Sequence, residues 1–475
     1  MIPLPRSRLV AVLVAAAFAS QVHGASTPQE QAEHPTERPS VPAFASASLD
    51  DTAKILAGLP PSSGSPLEPL TADPGWKSQS AKFSQTWQRF HERQLSRARI
   101  WADRELPAVR AEAPVLYYTF SGPDIVYASA FFPDCPTYVL CGLEPVGTVP
   151  DLLALGPAKL GPALVRLYGS LKNVLALSFF ITKDMGSDFH NNDLPGTTPV
   201  LITFLARLGK TVRSVDLVVL DRDGNERLRD AACLEGVGAD TTAGVKITFD
   251  SGSGTPAQTL YYFTADISNT GLEKNPGFAN FCRKLEPGAG LVKAASYLMH
   301  TEPFSKTRDF LMERCKFVLQ DDTGIPAAVF NERRWQVQPY GRYVRPIDMF
   351  RGYYQKELAK LYAGADRVPL EFGVGYYHRV NECSMILASR DANSVAVTAP
   401  PPKEPSVPAA TPAPTIVVAA NRALTESKSS KKSLAELENE ELRIRQDETL
   451  TKPERMRKLH EIWKQQLAAM GKTSA

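Results

Sequence analysis

Between Ala113 and Arg390, short runs rich in β-branched and aromatic residues alternate with segments of helical periodicity, and this alternation most restricts what the chain can form. The β-rich runs are Val115 to Phe120, Thr137 to Cys141, Val174 to Ile181, Ser214 to Leu220, Val245 to Phe249 and Thr259 to Ala265. The helical patterns are Ile125 to Phe131, Pro150 to Tyr168, Pro199 to Leu208, Phe278 to Leu285, Leu291 to Met299 and Lys306 to Gln320. Strands and helices that interleave early in a domain pack as a sheet covered by helices. The expected class is therefore α/β or α+β, one large domain over residues 113–390 with a mixed sheet. Asp221-Arg222-Asp223-Gly224-Asn225 reads as a hairpin turn rather than a calcium loop, because the ligand spacing and closing glutamate of such a loop are missing.

Outside this domain lie five further segments. Residues 1–24 read as a secretory signal: Arg6 and Arg8, an apolar run from Leu9 to Ala19, and a small-residue exit at Val22-His23-Gly24. The run is too short to span a bilayer, which needs about 20 helical residues, and no later stretch is long enough, so no transmembrane segment is expected. Residues 25–75, rich in Pro, Ser and Ala, read as a disordered leader. Residues 76–107 read as an amphipathic helix whose stripe of Phe83, Trp87, Phe90 and Trp101 packs on the main domain. After Arg390, a linker over 391–432 carries seven prolines between Pro400 and Pro414 and is expected to be extended. Residues 433–471 then read as a tethered helical hairpin. Its helices open on capping-box pairs, Ser433 with Glu436 and Thr451 with Glu454, and the second presents Met456, Leu459, Ile462, Trp463 and Leu467 on one face. Such a face calls for a protein partner or self-association.

Charge and cysteine content narrow the function classes. Loss of Arg6 and Arg8 with the signal lowers the formal charge from +3 to +1, which argues against a nucleic-acid binder. Six cysteines (Cys135, Cys141, Cys233, Cys282, Cys315, Cys383) permit up to three disulfides in an oxidising compartment, and Cys282 and Cys315 fit buried thiols equally well. No pair has CxxC spacing and no HxxxH or HxH pair exists, so no metal or other cofactor is indicated.

The candidate site residues lie where β-rich runs meet turns. In Phe120-Ser121-Gly122-Pro123-Asp124, Ser121 reads as a nucleophile or as a helix cap, with Asp124 capping or positioning. The glycine pattern of a nucleophile elbow is absent. Serine chemistry would draw on His378 as base and Asp322 as orienting acid, a Ser-Asp-His chain order shared with α/β hydrolases. Lys183, Asp184 and His190 lie in polar loops after an apolar run, and His300 completes the histidines of the domain. Gln320-Asp321-Asp322-Thr323-Gly324-Ile325-Pro326 reads as a turn or as paired carboxylates lining a site.

Together with Tyr138-Val139-Leu140-Cys141-Gly142-Leu143-Glu144-Pro145-Val146-Gly147 and Ser178-Phe179-Phe180-Ile181-Thr182-Lys183-Asp184-Met185, these stretches resemble a family of uncharacterised exported bacterial proteins. The resemblance spans residues 76–390 and implies export and one common domain, with no catalytic residue carried over. The reading that follows is an exported binding or scaffold protein of the bacterial envelope, periplasmic or secreted. A hydrolase using Ser121 or the loops near Lys183 and Asp322 is the alternative. Signal cleavage is expected after Gly24, so N-terminal sequencing of the exported product should begin at Ala25.

Overall fold

A computed structural model describes residues 48–177, 193–229, 240–252, 256–364, 367–376 and 383–390, with four further positions, Glu440, Ile444, Glu454 and Lys458. The chain divides into two units, 1–399 and 400–475. In the second unit the four described positions are each helical; the rest of the expected hairpin over 433–471 and the linker over 391–432 lie outside the described residues, as does the signal of residues 1–24.

The first unit is built on one mixed sheet, ten strands among the described residues. In chain order they are β1 Val115–Tyr118, β2 Thr137–Gly142, β3 Thr211–Leu220, β4 Glu226–Leu228, β5 Thr242–Asp250, β6 Gln258–Thr264, β7 Gly288–Val292, β8 Cys315–Asp321, β9 Gln336–Gly341 and β10 Ser384–Ser389. The spatial order is β4-β3-β5-β6-β2-β1-β7-β8-β10-β9. Its central five strands, β6-β2-β1-β7-β8, are parallel. Antiparallel pairs flank them on both sides. The α/β class with helices on a large mixed sheet is as the alternating pattern requires.

The helices are α1 Leu49–Leu56, α2 Pro74–Phe90, α3 Ser96–Glu105, α4 Pro107–Ala111, α5 Ile125–Phe131, α6 Leu152–Leu155, α7 Pro157–Leu177, α8 Thr198–Arg207, α9 Asn269–Lys274, α10 Gly277–Lys284, α11 Ser305–Arg314, α12 Ala327–Glu332 and α13 Lys356–Gly364. The aromatic stripe forms α2 and α3, joined by a π-turn over His91–Leu95, and Pro107 starts α4 because a missing N–H costs nothing at a first helical turn. Successive strand residues feed opposite layers, as the two-residue period demands. Leu116 and Tyr118 of β1 join one core with Phe83, Trp87 and Trp101, while Val115 and Tyr117 join the other with Phe263, Phe281 and Phe310. Trp101 meets Phe131, Tyr340 and Phe372 edge-on at 4.9–5.9 Å between centroids.

Four expectations need correction. Residues 48–75 are not a disordered leader. Ser48 caps α1 by accepting from Asp51 N at 3.0 Å, Ile55 and Leu56 are fully buried, and the Ile55 and Leu56 carbonyls accept from Trp76 Nε1 (3.1 Å) and Tyr168 Oη (2.8 Å). One short helix was masked by averaging composition over fifty Pro- and Ser-rich residues. The expected strand from Val174 begins as helix, since α7 runs to Leu177 and Leu160, Leu164, Leu167, Leu171 and Val174 bury one face at helical spacing; the remainder, from Ser178, lies outside the described residues. Leu291 to Met299 is not a helix: its first two residues end β7, and a strained loop follows. Lys306 to Gln320 is half helix, half strand, breaking at Arg314 between α11 and β8.

Ile55 tests the first correction. Ile55→Ala should lower unfolding stability by about 2–5 kcal/mol in urea titration, whereas a residue in a disordered leader would leave the midpoint unmoved.

Candidate functional site

From β1 the chain steps outward through β2 to β6, then crosses back to start β7 on the other side of β1. The loops leaving the C-terminal ends of β1 and β7 therefore diverge, and this is where open parallel sheets leave a crevice.

A buried ion pair ties the two loops together. Asp124, the N-cap of α5, accepts from Tyr127 N (3.1 Å) and Tyr118 Oη (2.8 Å). It also meets Lys293 Nζ, which follows β7, at 3.0 Å, and both side chains are 1% exposed. The ammonium lies 4.4 Å from the Tyr127 ring centre. Removing one member of such a pair leaves an uncompensated buried charge, at a cost of about 3–5 kcal/mol. Ser121 is spent on structure: its Oγ accepts from Cys141 N (3.1 Å) and donates to Cys141 O (3.2 Å), extending the β1–β2 pairing past the strand end.

The loop after β7 is strained. Ala294, Ser296 and Tyr297 hold φ of 53°, 52° and 56°, and Phe120 across the crevice holds 59°. Side chains other than glycine adopt this region at a cost of about 1–3 kcal/mol each, so the surroundings must over-determine it. They do. Asp321 Oδ2 accepts from Ala294 N (2.8 Å), Thr323 Oγ1 from Ala295 N (2.7 Å), and the Tyr376 hydroxyl meets both Ala294 O (3.1 Å) and Ser296 Oγ (2.7 Å). Tyr297 Oη donates to Asp322, and its ring stacks on Tyr353 at 5.1 Å. Gly375 (φ 64°) must be glycine, because a Cβ there would stand 2.1 Å from Asp321 Oδ2.

Burial sets the protonation of this hub. It raises the Asp321 carboxyl against the pull of the Thr323 and Ala294 hydrogen bonds and of Lys293. Burial and then the charge of Asp321 push Asp322 up to about 7. His300 is driven down to about 4 by burial and is a neutral imidazole at pH 7, its Nε2 buried without a partner among the described residues.

Above these loops opens a cavity of about 540 Å³, within the size of small-molecule sites. Phe120, Ile267, Leu298, Phe304, Phe350 and Tyr376 form its walls, with Leu143 and Met349 at the lining more than 60% exposed. Its polar groups include Glu144, Asp266, Ser296 and the Tyr376 hydroxyl, and no Lys, Arg or His lines it among the described residues. Glu144 is only 3% exposed. Its Oε2 shares the Tyr262 hydroxyl (3.1 Å) with its own backbone carbonyl (3.0 Å). A Cβ on Gly142 would come within 2.3 Å of that carboxylate oxygen, so the glycine makes room for it.

Of the residues singled out in the sequence, Asp124, Ser121, Asp322 and His300 sit in or beside this hub, but Ser121 and Asp322 share no contact and each is bonded elsewhere. Lys183, Asp184, His190 and His378 lie outside the described residues. The reading missed Glu144, Lys293, Ser296 and Tyr376. Cys135, Cys141, Cys282, Cys315 and Cys383 are buried and joined in no disulfide among the described residues, with burial pushing Cys135, Cys141 and Cys315 up to about 12; Cys233 lies outside the described residues. No cluster of three His, Cys, Asp or Glu suited to a metal occurs among the described residues, and no described helix is long and apolar enough to cross a membrane. No protein-family model, curated protein or solved structure matches the chain.

Because the Asp322 carboxyl titrates higher folded than unfolded, the folded state holds the extra proton and stability falls as pH rises from about 4 to about 7. Asp322→Asn, whose side-chain oxygen still accepts from Tyr297, should flatten that fall in urea midpoints measured across pH 4–8; an unchanged slope would place the titration elsewhere.

Proposed function

We propose that this is an exported ligand-binding protein of the bacterial envelope, and that its site is the cavity between the loops after β1 and β7. One observation carries the reading: a cavity of ligand size lies at the topological switch point of the sheet, beside non-glycine residues held in left-handed conformations. Preorganised backbone of this kind is retained where a site needs it, and apolar walls with a few convergent polar groups are what small-molecule sites offer. Export rests on the charge, length and small-residue exit of residues 1–24. The tail of residues 433–471 adds a docking or self-association element, supported by its capping boxes and by four helical positions.

A serine hydrolase is less well supported. The Ser121 hydroxyl is engaged with both backbone groups of Cys141, and no base meets it among the described residues.

The neutral fluorophore N-phenyl-1-naphthylamine is a suitable first probe. The full chain should bind it with one-site stoichiometry and blue-shifted emission. Ala265→Phe, which fills the cavity from a half-buried lining position, should weaken binding at least about tenfold with an unchanged melting profile. Equal binding by both proteins would overturn the reading.

A further inference from the structure

Glu144 and Asp322 are the buried carboxylates that form no ion pair among the described residues, and of the two only Glu144 lines the cavity. Asp124 has Lys293 at 3.0 Å. Asp321 has two backbone N–H groups, the Thr323 hydroxyl and the field of the same lysine. Glu144 is as buried as Asp321, forms no ion pair among the described residues, and its carboxylate accepts from the Tyr262 hydroxyl alone. A buried carboxylate with no counter-charge is a site where a cation, once bound, gains a strong electrostatic partner. This carboxylate lines the cavity, whose polar lining also includes Asp266, itself exposed, with Oδ1 held by Ser268 N at 2.9 Å.

The walls indicate which kind of cation. Phe120, Phe304, Phe350 and Tyr376 line the same space, and aromatic faces attract weakly hydrated organic cations. A bare Ca²⁺ or Mg²⁺ requires six or more oxygen ligands, and the described residues offer no cluster of three candidate side chains. An anionic ligand would meet two carboxylates and, among the described residues, no basic group. The exposed Leu143 and Met349 extend the apolar lining beyond the carboxylate.

Resting on the cavity being the binding site, we infer that its ligand is an organic cation, an amine or quaternary ammonium on an apolar body. The charged head lies against Glu144 and the aromatic faces, and the body lies toward Leu143 and Met349.

Three probes of similar shape separate this from the broader reading: benzyltrimethylammonium, its neutral carbon isostere neopentylbenzene, and the anion phenylmethanesulfonate, titrated into the full chain by calorimetry. The cation should bind at least about tenfold more tightly than the neutral isostere, and the anion should not bind. Glu144→Gln keeps the shape and the acceptor for Tyr262. It should reduce cation affinity to that of the neutral isostere and leave the neutral isostere unchanged, a split that a general loss of folding would not produce. Equal binding of cation and neutral isostere by the wild type, or an E144Q protein that still prefers the cation, overturns the cationic ligand while the cavity reading stands. If neopentylbenzene and the cation both fail to bind, and N-phenyl-1-naphthylamine fails as well, the cavity reading falls with it.

Discussion

The Asp124–Lys293 pair is the interaction on which the upper end of the sheet depends. It joins the N-cap of α5 to the first residue beyond β7 across the line where the chain reverses its direction of winding. Neither charge has water to turn to, so each is satisfied only while both loops hold their places. Tyr118 and Tyr127 complete the arrangement, one as hydrogen-bond donor, the other as a ring beneath the ammonium. With that register fixed, Ala294 and Ala295 reach the Asp321 carboxylate and the Thr323 hydroxyl, and the loops after β1, β7 and β8 become one unit.

The cavity follows from this unit rather than from the cores below it. The two apolar layers would close the sheet faces in almost any α/β protein, but they leave the strand ends open. Here the segment between β9 and α13 covers part of that end. Phe350 and Tyr353 lie against Tyr297, Gln355 donates to the Asp322 carbonyl, and Gln355 N donates to the Tyr343 hydroxyl. One wall of the cavity is thus held by the same acidic hub that restrains the loop after β7.

The half of the sheet that could be read from sequence is the half with strong β character. β1, β2, β3, β5 and β6 are rich in Val, Ile, Thr, Tyr and Phe, and turn residues bound them. β7 is Gly-Ala-Gly-Leu-Val, two glycines and one β-branched residue, and it runs into apolar residues that imitate a helical period. β8 follows α11 with no glycine or proline between them, so the change of period at Arg314 leaves no local mark. A helical period over Leu291 to Met299 hides Lys293 and the left-handed loop beyond it, whereas Asp322, just past β8, is legible as a turn or a site. Asp124 was legible as a helix cap because capping is local. Glu144 was not, because its significance is the absence of a cation nearby, and that is a property of folded space rather than of neighbours in sequence.

Ala294 and Ser296 also bear on how this protein evolves. Both sit where glycine would relieve the backbone, so selection for thermal endurance alone would favour replacing them. Ser296 cannot be replaced without surrendering the hydroxyl that meets Tyr376, and glycine at 294 would loosen the loop whose amide reaches Asp321. A lineage that abandoned the ligand would be free to drift toward glycine at both positions, so their retention or loss among descendants records whether the cavity is still in use.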